Sequence, residues 1–401
     1  MRILFLSDNF PPEYNAPANR TYEHCKQWVK MGAEVSVITC APNFPKGVVY
    51  PGYKNRIYQK QDLDGITVIR VWSYIAPNSG TIKRTLDFLS FSIASFFAGL
   101  FIKSDIIVAT SPQFFTAVSG CALSLFKRKK WVMEVRDIWP ESIKAVEAIK
   151  SKSIITVLEK IELFLYKSAY RIVVVTDSFK TNLVLRGVPQ EKIYVIKNGV
   201  DLSIYCPQSK NLELLNELNI SGKFIVGYLG THGLAHSLDF VIKSIYKLRD
   251  ESFHFLFIGD GAEKNNLVRR AQELSINNIT FIDSVKKSEV GKYLSALDVA
   301  LVPLKKSTTF ESVIPSKIFE SVAMNIPILL GVDGETKNLI ESYHSGIYFE
   351  PENESDFIEK LRLIKNQIYF NKEKYIDGCQ KMALDFDRKN LAKKMLDILS
   401  T

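Results

Sequence analysis

The sequence predicts an α/β protein of two doubly wound, Rossmann-like domains that face each other across a cleft. Its 401 residues suit two domains of ordinary size. Near-continuous Val- and Ile-rich runs alternate with helical patterns in two separate stretches, as in parallel sheets covered on both faces. The alternation pauses around Gly199 and Pro207. We therefore expect a first domain over 1–200, which the helix 390–401 could complete, and a second domain over 201–389.

The first stretch opens with a short apolar strand, and Gly32 suits the end of the helix that follows it. The later Val- and Ile-rich runs in this stretch predict strands that are buried on both faces, and helical patterns lie between these runs. In chain order, we predict strands 2–7, 34–39, 67–71, 105–109, 130–135 and 171–175, and helices 19–31, 85–102 and 152–168.

The second stretch repeats the alternation in shorter steps. Because ligands of open parallel sheets bind beyond the carboxyl ends of the strands, the strand-to-helix loops are the candidate site. In chain order, we predict strands 224–229, 254–258, 280–282, 299–302 and 328–330, and helices 237–249, 262–274, 288–296, 315–325 and 390–400.

The charge balance suggests contact with anions. Lys and Arg exceed Asp and Glu by nine, which favours nucleotide diphosphates, nucleic acid or anionic lipid as partners. No recognised nucleic-acid motif accompanies the excess, so nucleic acid is not expected. The run 127–130 is either a solvated turn or a membrane contact. The five scattered cysteines have no metal-site spacing and suit a reduced, cytoplasmic compartment.

One segment is apolar enough to raise the question of a membrane. Residues 88–102 contain no charge and have basic residues on both sides. The segment is shorter than the ~20 residues that span a bilayer. It therefore predicts either a buried helix of the first domain or a helix that lies in the membrane interface.

Two loops of the first domain carry candidate chemistry. The loop after the first strand lacks G-x-G-x-x-G, which argues against a dinucleotide site. Arg20 follows this loop and could meet a phosphate or be solvated. The strand 130–135 ends in a polar run in which Asp137 can accept a proton or hold a sugar hydroxyl. Arg136 can bind a phosphate, or the two residues can form a structural ion pair.

In the second domain, the loop after strand 224–229 is glycine-bearing and opens a helix, so it could cradle a diphosphate. The turn Gly259–Gly261 begins like a dinucleotide fingerprint, but Lys264 occupies the third glycine position. Lys317 and Glu320 share a helix face. A lysine in the first turn opposes the helix dipole, so either a nearby anion or an intrahelical pair with Glu320 is expected.

No cofactor or metal is expected. The D-x-D sequence at 385–387 lies away from the strand-end loops and is interpreted as structural. The chain has no P-loop, no G-x-S-x-G sequence and no metal-ligand spacing.

These motifs, in this order, resemble glycosyltransferase family 4 over essentially the whole chain. The resemblance rests on 198–201, Gly259–Gly261, 296–303 and the Lys317/Glu320 helix. Within that family, 10–13 with 16–20, and 136–142, resemble one branch, the N-acetyl-L-fucosamine transferases of O-antigen and capsule assembly.

The resemblance implies a GT-B fold and a retaining, metal-independent transfer. The donor would be a UDP-sugar, with an N-acetylamino deoxysugar such as N-acetyl-L-fucosamine, and no further cofactor. The acceptor would be a lipid-linked (undecaprenyl diphosphate) saccharide. The protein would then be peripheral on the inner face of the cytoplasmic membrane, in contact with the membrane surface.

The resemblance also implies roles for individual residues. The second domain would hold the donor and the first would face the acceptor. Lys317 would bind the phosphates, Glu320 the ribose, and the loops after strands 254–258 and 280–282 the base. The implied catalytic residues are Asp137, Lys317 and Glu320; the donor-binding residues are Gly230, Thr231, His232, His236, Gly259, Asp260, Gly261, Asp283, Val285, Lys317 and Glu320; the acceptor-side residues are Asn15, Ala16, Arg20, Arg136, Asp137 and Glu141.

The sequence departs from the family pattern in two places. Many members carry an E-x7-E pair, but Ser312 stands eight residues before Glu320, and Glu311 is one position off. The loop 231–236 lacks the usual Arg and Lys, and His236 is the nearest substitute. Two other functions stay open: a sugar-nucleotide 2-epimerase of the same fold, and a catalytically idle binding subunit.

Overall fold

Parallel Val- and Ile-rich strands form two separate sheets in this protein. The computed structural model describes residues 1–13, 15–44, 46–76, 81–111, 114–138, 152–249 and 251–401. One unit comprises residues 1–197 and 388–401, and the other comprises residues 198–387. Helices cover both faces of each sheet, because each sheet packs against two separate apolar clusters. The predicted α/β class, with two Rossmann-like doubly wound sheets, is confirmed.

In the first unit, the described strands have the order β3-β4-β2-β1-β5-β6-β7-β8, and only β3 is antiparallel to its neighbour. The strands are β1 (Arg2–Leu6), β2 (Glu34–Cys40), β3 (Tyr58–Leu63), β4 (Ile66–Val71), β5 (Ile106–Thr110), β6 (Lys130–Val135), β7 (Arg171–Val174) and β8 (Ile193–Val195). The helices before the second unit are α1 (Ala16–Lys30), α2 (Thr81–Leu100), α3 (Phe114–Lys127), α4 (Lys152–Ser168) and α5 (Asp177–Leu185).

In the second unit, the described strands have the order β11-β10-β9-β12-β13-β14, and all pairs are parallel. The strands are β9 (Phe224–Leu229), β10 (Phe253–Ile258), β11 (Ile279–Ile282), β12 (Val299–Pro303), β13 (Ile328–Gly331) and β14 (Gly346–Tyr348). The helices are α6 (Leu212–Glu217), α7 (Leu238–Tyr246), α8 (Lys264–Glu273), α9 (Val290–Leu294), α10 (Thr308–Glu311), α11 (Lys317–Ala323), α12 (Glu335–Tyr343) and α13 (Glu354–Asp385), and α14 (Arg388–Ser400) returns to the first unit.

Some elements were not predicted from the sequence. Strand β3 is an edge strand with alternating exposed and half-buried residues, so it lacks the buried apolar run by which the other strands were found. Helix α13 is largely polar on its surface, and its helical geometry breaks at Asn371, where φ is −155°. The residues that β3 and α13 pack against determine these two elements more than the order of apolar and polar residues within them.

The C-terminal helix α14 packs on α1 within the first unit. The indole Nε1 of Trp28 donates a hydrogen bond of 2.8 Å to the carbonyl oxygen of Ala392. Met395 is fully buried in the same layer, with its sulfur 3.2 Å from Nδ1 of His24. Asp385, from the D-x-D sequence that precedes this helix, accepts a hydrogen bond of 2.6 Å from the hydroxyl of Tyr343. That contact agrees with the structural interpretation of the D-x-D sequence.

We predict that Met395→Ala lowers the free energy of unfolding of the first unit by about 2–4 kcal/mol, because it leaves a cavity under α1. All tryptophans lie at positions below 140, so urea unfolding followed by tryptophan fluorescence reports on this unit. Lys394→Ala, at an exposed position of the same helix, should change the value by less than about 0.5 kcal/mol. Equal effects of the two substitutions would contradict the packing role of α14.

Candidate functional site

The loops at the carboxyl ends of β9, β10 and β11 are joined by backbone hydrogen bonds, because these strands are neighbours in the sheet. The amide of Gly230 donates to the carbonyl oxygen of Ile258 at 2.9 Å, and that of His232 donates to Asp260 at 2.9 Å. The amide of Gly259 donates to Ile282 at 3.0 Å. The predicted donor-binding loops therefore form one connected surface.

Glycine is required where two of these loops cross. A Cβ atom on Gly259 would lie 1.9 Å from the carbonyl oxygen of Gly230, and one on Gly261 would lie 2.4 Å from that of His232. Both glycines also have φ angles, +144° and +159°, that L side chains rarely adopt. The structure thus brings together Gly230, Gly259 and Gly261, which the sequence singled out separately.

Lys317, in the first turn of α11, reaches this loop surface from another element. Its Nζ lies 3.9 Å from the ring centroid of Tyr228, and a Cβ atom on Gly230 would be only 2.7 Å from it. Among the described residues, no carboxylate forms an ion pair with this ammonium, so the intrahelical pair with Glu320 is not formed. The side chain is therefore a cation next to a glycine loop, as an anion site needs.

Burial sets the protonation of this lysine. Desolvation lowers the pKa of the Lys317 ammonium to about 7, and the charge of Glu320 opposes that shift only in part. A bound phosphate would stabilise the charged form and raise the pKa again. Binding of an anion here is therefore expected to take up protons.

Glu320 lies on the same face of α11 and is half-buried. Burial raises the pKa of its carboxyl, while the charges of Lys287 and Lys317 lower it. Burial, with a smaller contribution from the charge of Glu320, raises the pKa of the Tyr205 hydroxyl. Tyr205 and Tyr228 thus belong to the site although the sequence did not predict them, since both are buried aromatic residues, which a sequence pattern assigns to the core.

The two histidines of the β9 loop are neutral near pH 7. Burial lowers the pKa of both His232 and His236 to about 4. His232 is fully buried beside the rings of Tyr228, Phe257 and Phe281, and neither ring nitrogen has a hydrogen-bond partner among the described residues. His236 therefore does not replace the positive charge that the loop 231–236 lacks. Lys317 supplies a cation beside that loop instead.

The other predicted donor-side residues surround this surface. Thr231 is exposed and its carbonyl accepts a hydrogen bond of 2.6 Å from the Tyr228 hydroxyl. Asp260 is exposed and accepts the amide of Gly261 at 2.7 Å. Asp283 is exposed and pairs with Lys264, whose hydrogen bond and charge lower the pKa of Asp283. Val285 is half-buried and packs on the core of the unit, which leaves its backbone at the loop.

Glu311 does not lie on the helix that carries Glu320. It is exposed and ends the short helix α10. The hydroxyl of Ser312, at the E-x7-E position, donates to the carbonyl of Thr309 at 3.3 Å.

In the first unit, several acceptor-side residues lie at the start of α1. Asn15 caps the helix, since its side-chain oxygen accepts the amide of Ala18 at 2.8 Å. Ala16 is the exposed first residue of the helix. The guanidinium of Arg136 donates to the carbonyl of Pro17 at 3.1 Å, and Asp137 is the next, half-buried residue. Glu141 lies outside the described residues.

Arg20 is buried inside the first unit. The expectation was a phosphate contact or a solvated side chain, and the structure shows neither. Its guanidinium pairs with Glu134 at 2.9 Å and donates to the carbonyls of Ile196 and Lys197. Burial alone would raise the pKa of Glu134, but Arg20, Arg136 and His24 lower it to about 2. Arg20 is therefore a structural residue here. Removal of one partner of such a pair would leave an uncompensated buried charge.

No group of three or more His, Cys, Asp or Glu side chains could hold a metal ion within the part of the chain that the structure describes.

Known proteins match this chain along most of its length. The family described as Glycosyltransferase Family 4 matches residues 18–204, and Glycosyl transferases group 1 matches residues 211–376. WcaI of Escherichia coli (strain K12), a glycosyl transferase assigned to colanic acid biosynthesis, is 24% identical over 90% of this chain and 91% of its own.

Solved structures share the fold. The sucrose-phosphate synthase of Thermosynechococcus elongatus superposes with a TM-score of 0.78 at 14% identity, over 99% of this chain and 98% of its own. HepE of Anabaena, in complex with UDP and glucose, gives a TM-score of 0.73 at 17% identity over the whole of both chains. These similarities show the GT-B fold.

We predict that Gly230→Ala lowers the affinity for UDP at least about tenfold, because the new methyl group displaces Lys317 and the residue must hold an unfavourable φ. Gly233→Ala is the matched control in the same loop: its φ is negative, and its Cβ would meet only ordinary contacts at 3.7 Å or more. Isothermal titration calorimetry measures both. Unchanged affinity in Gly230→Ala would show that Lys317 does not contact the bound anion.

We also predict that UDP binding takes up protons at about pH 8, up to roughly one per site, and fewer at about pH 6. The free Lys317 amine is largely neutral at the higher pH and becomes charged beside the diphosphate. Calorimetric titrations in two buffers of different ionisation enthalpy give the number of protons taken up per UDP bound. Lys317→Arg, which stays charged, should bind without proton uptake; the same uptake in that variant would assign it to another group.

Proposed function

We propose that this chain, a glycosyltransferase with a Family 4 domain and a group 1 domain, transfers a sugar from a UDP-sugar to a saccharide of a bacterial cell-surface polysaccharide. The observation that carries the proposal is Lys317, whose ammonium has no carboxylate partner among the described residues and lies beside Gly230. The assignment of WcaI to colanic acid biosynthesis supports the product class, and the UDP bound to HepE supports the donor.

The donor would lie on the second unit. The Lys317 ammonium and the backbone amides of the β9 loop would bind the diphosphate. Glu320, half-buried one helical turn from Lys317, would accept hydrogen bonds from the ribose hydroxyls. The backbone of 283–285 would pair with the base, since the side chain of Asp283 is already engaged by Lys264.

The reaction would retain the anomeric configuration and need no metal. The bond from the anomeric carbon to the diphosphate oxygen breaks, and a bond from that carbon to the acceptor oxygen forms on the same face. The acceptor proton passes to the departing phosphate oxygen. Charge grows on the diphosphate as the bond breaks, so Lys317 would stabilise the transition state more than the ground state. Asp137 would orient the acceptor hydroxyl.

The sugar would be an N-acetylamino deoxysugar, with N-acetyl-L-fucosamine as the leading candidate. This choice rests on the resemblance of 10–20 and 136–142 to one branch of the family. The acceptor would be a saccharide on undecaprenyl diphosphate, which places the reaction at the inner face of the cytoplasmic membrane.

The test incubates the purified protein with a panel of UDP-linked N-acetylamino sugars, with and without the lipid-linked acceptor, and measures UDP release. We expect one donor to give release that needs the acceptor. In Glu320→Ala, kcat/KM should fall about 10- to 100-fold, because a charged hydrogen bond to the donor is lost. Glu341→Ala, at an exposed position of α12, serves as the control.

Two other outcomes would replace the proposal. A change of sugar configuration on the nucleotide, without acceptor, would identify a 2-epimerase. Donor binding with no turnover under any acceptor would identify a catalytically idle subunit.

A further inference from the structure

Three helices form a layer on one face of the first unit's sheet. Helices α2 and α3 pack closely, with the hydroxyls of Ser95 and Ser119 3.0 Å apart. Gly99 allows this approach, since a Cβ there would lie 2.5 Å from Leu123. Helix α4 packs beside α3, and these helices share one apolar cluster with the sheet. The layer presents an outer surface that none of the described elements covers.

The outer surface of α2 is apolar although it is exposed. The residues that face α3 include Ser92, Ser95 and Gly99, and both serine hydroxyls are hydrogen-bonded inside the layer. The residues that face outward recur every three or four positions, which is one side of a helix. They are Leu86, Leu89, Ile93 and Phe97, with Phe101 just beyond the helix, and their exposed fractions run from 37% to 88%.

Helix α4 also exposes apolar residues on its outer face. Its inner face carries the buried carboxylate of Glu162, which pairs with Arg186 and accepts the hydroxyl of Tyr166 at 2.6 Å. Its outer face carries Ile154, Val157, Ile161 and Phe164 at helical spacing, all of them exposed. The outer face of a soluble helix normally carries polar residues.

The end of α3 joins this surface. Leu125 and Phe126 are 68% and 73% exposed, and Phe126 packs edge-on against Phe96 of α2. Lys127 is directed inward, where it donates to the carbonyls of Gly99 and Leu100 at the end of α2. The exposed apolar side chains of α2 and of the end of α3 are therefore in contact, and α4 packs beside α3. We call the exposed apolar side chains of these three helices the α2–α4 face.

The exposed charges around the α2–α4 face are almost all positive. Among the described acidic residues of these helices, Asp87 and Glu162 are buried and Glu159 is half-buried. Asp105, just after α2, pairs with Arg2 at 2.6 Å. The exposed cations are Lys83, Arg84, Lys103, Arg128, Lys129, Lys160 and Lys167.

We propose that the α2–α4 face docks on the surface of an anionic lipid bilayer, with its apolar side chains in the interface and its cations among the headgroups. Apolar residues with a basic rim are what such a surface binds. None of the described helices is long and apolar enough to cross a membrane, so the contact lies in the plane of the bilayer. A second copy is disfavoured as the occupant, because a two-fold contact would bring like charges together.

This inference deepens the proposed function, because a lipid-linked acceptor would be met at the same membrane surface. It does not depend on that function for its test, since vesicle binding requires neither donor nor acceptor. If the protein binds vesicles but has no transferase activity, the proposed function is refuted and the membrane contact is not.

The experiment is flotation of the full chain with vesicles of phosphatidylethanolamine and phosphatidylglycerol, compared with phosphatidylcholine alone. We expect binding to the anionic vesicles only, with a partition coefficient that falls at least about tenfold in Phe97→Gln/Phe101→Gln and in Ile161→Gln/Phe164→Gln. The partition coefficient should fall about 100-fold, and should depend less on salt, in the variant that combines Arg84→Gln, Lys103→Gln, Arg128→Gln and Lys129→Gln.

The control is Tyr369→Gln/Phe370→Gln, a pair of adjacent rings on α13 that are 84% and 82% exposed. It should leave vesicle binding unchanged, and thermal unfolding should show that all variants fold. An equal loss in the control pair, or no binding to anionic vesicles, would overturn the proposal. A dimer in light scattering that the Phe97/Phe101 variant dissociates would instead assign the face to self-association.

Discussion

The site in the second unit depends on the close approach of two backbone segments. The β9 and β10 loops cross where Gly259 and Gly261 stand against the carbonyls of Gly230 and His232. No side chain fits between them, so the loops are fixed relative to each other by hydrogen bonds of their own backbone. This contact buries His232 beneath the loops and leaves Gly230 open to Lys317. Where a loop carries glycine, a diphosphate can approach its backbone closely.

Burial, more than residue type, decides which basic groups of this protein are available to a ligand. Desolvation keeps His232 and His236 neutral at pH 7 and holds Lys317 near the point where it changes charge. In the first unit, Arg20 is charged but engaged by Glu134 inside the unit. The cation beside the β9 loop is Lys317, which belongs to helix α11 and not to the loop itself.

Much of the fold could be predicted because buried parallel strands have a local signature. The runs at β1, β2, β5 and β6 are largely apolar and mostly buried, and a run of apolar residues can be recognised without knowing its neighbours. Strand β3 could not be found this way, because only its antiparallel pairing with β4 makes it a strand. The order of the strands also depends on long-range pairing, which no local pattern contains.

For the candidate site, the sequence alone determined which loops could bind a ligand and which residues stand in them, because the glycines, Lys317 and Glu320 follow strands or open helices. It also left open whether Lys317 pairs with Glu320 and whether α2 is buried. The tertiary structure decided both, as well as the burial of Arg20 and the neutrality of the histidines. Each of these depends on which atoms surround a charged or apolar group, and desolvation by neighbours that are distant in the sequence cannot be calculated from local spacing.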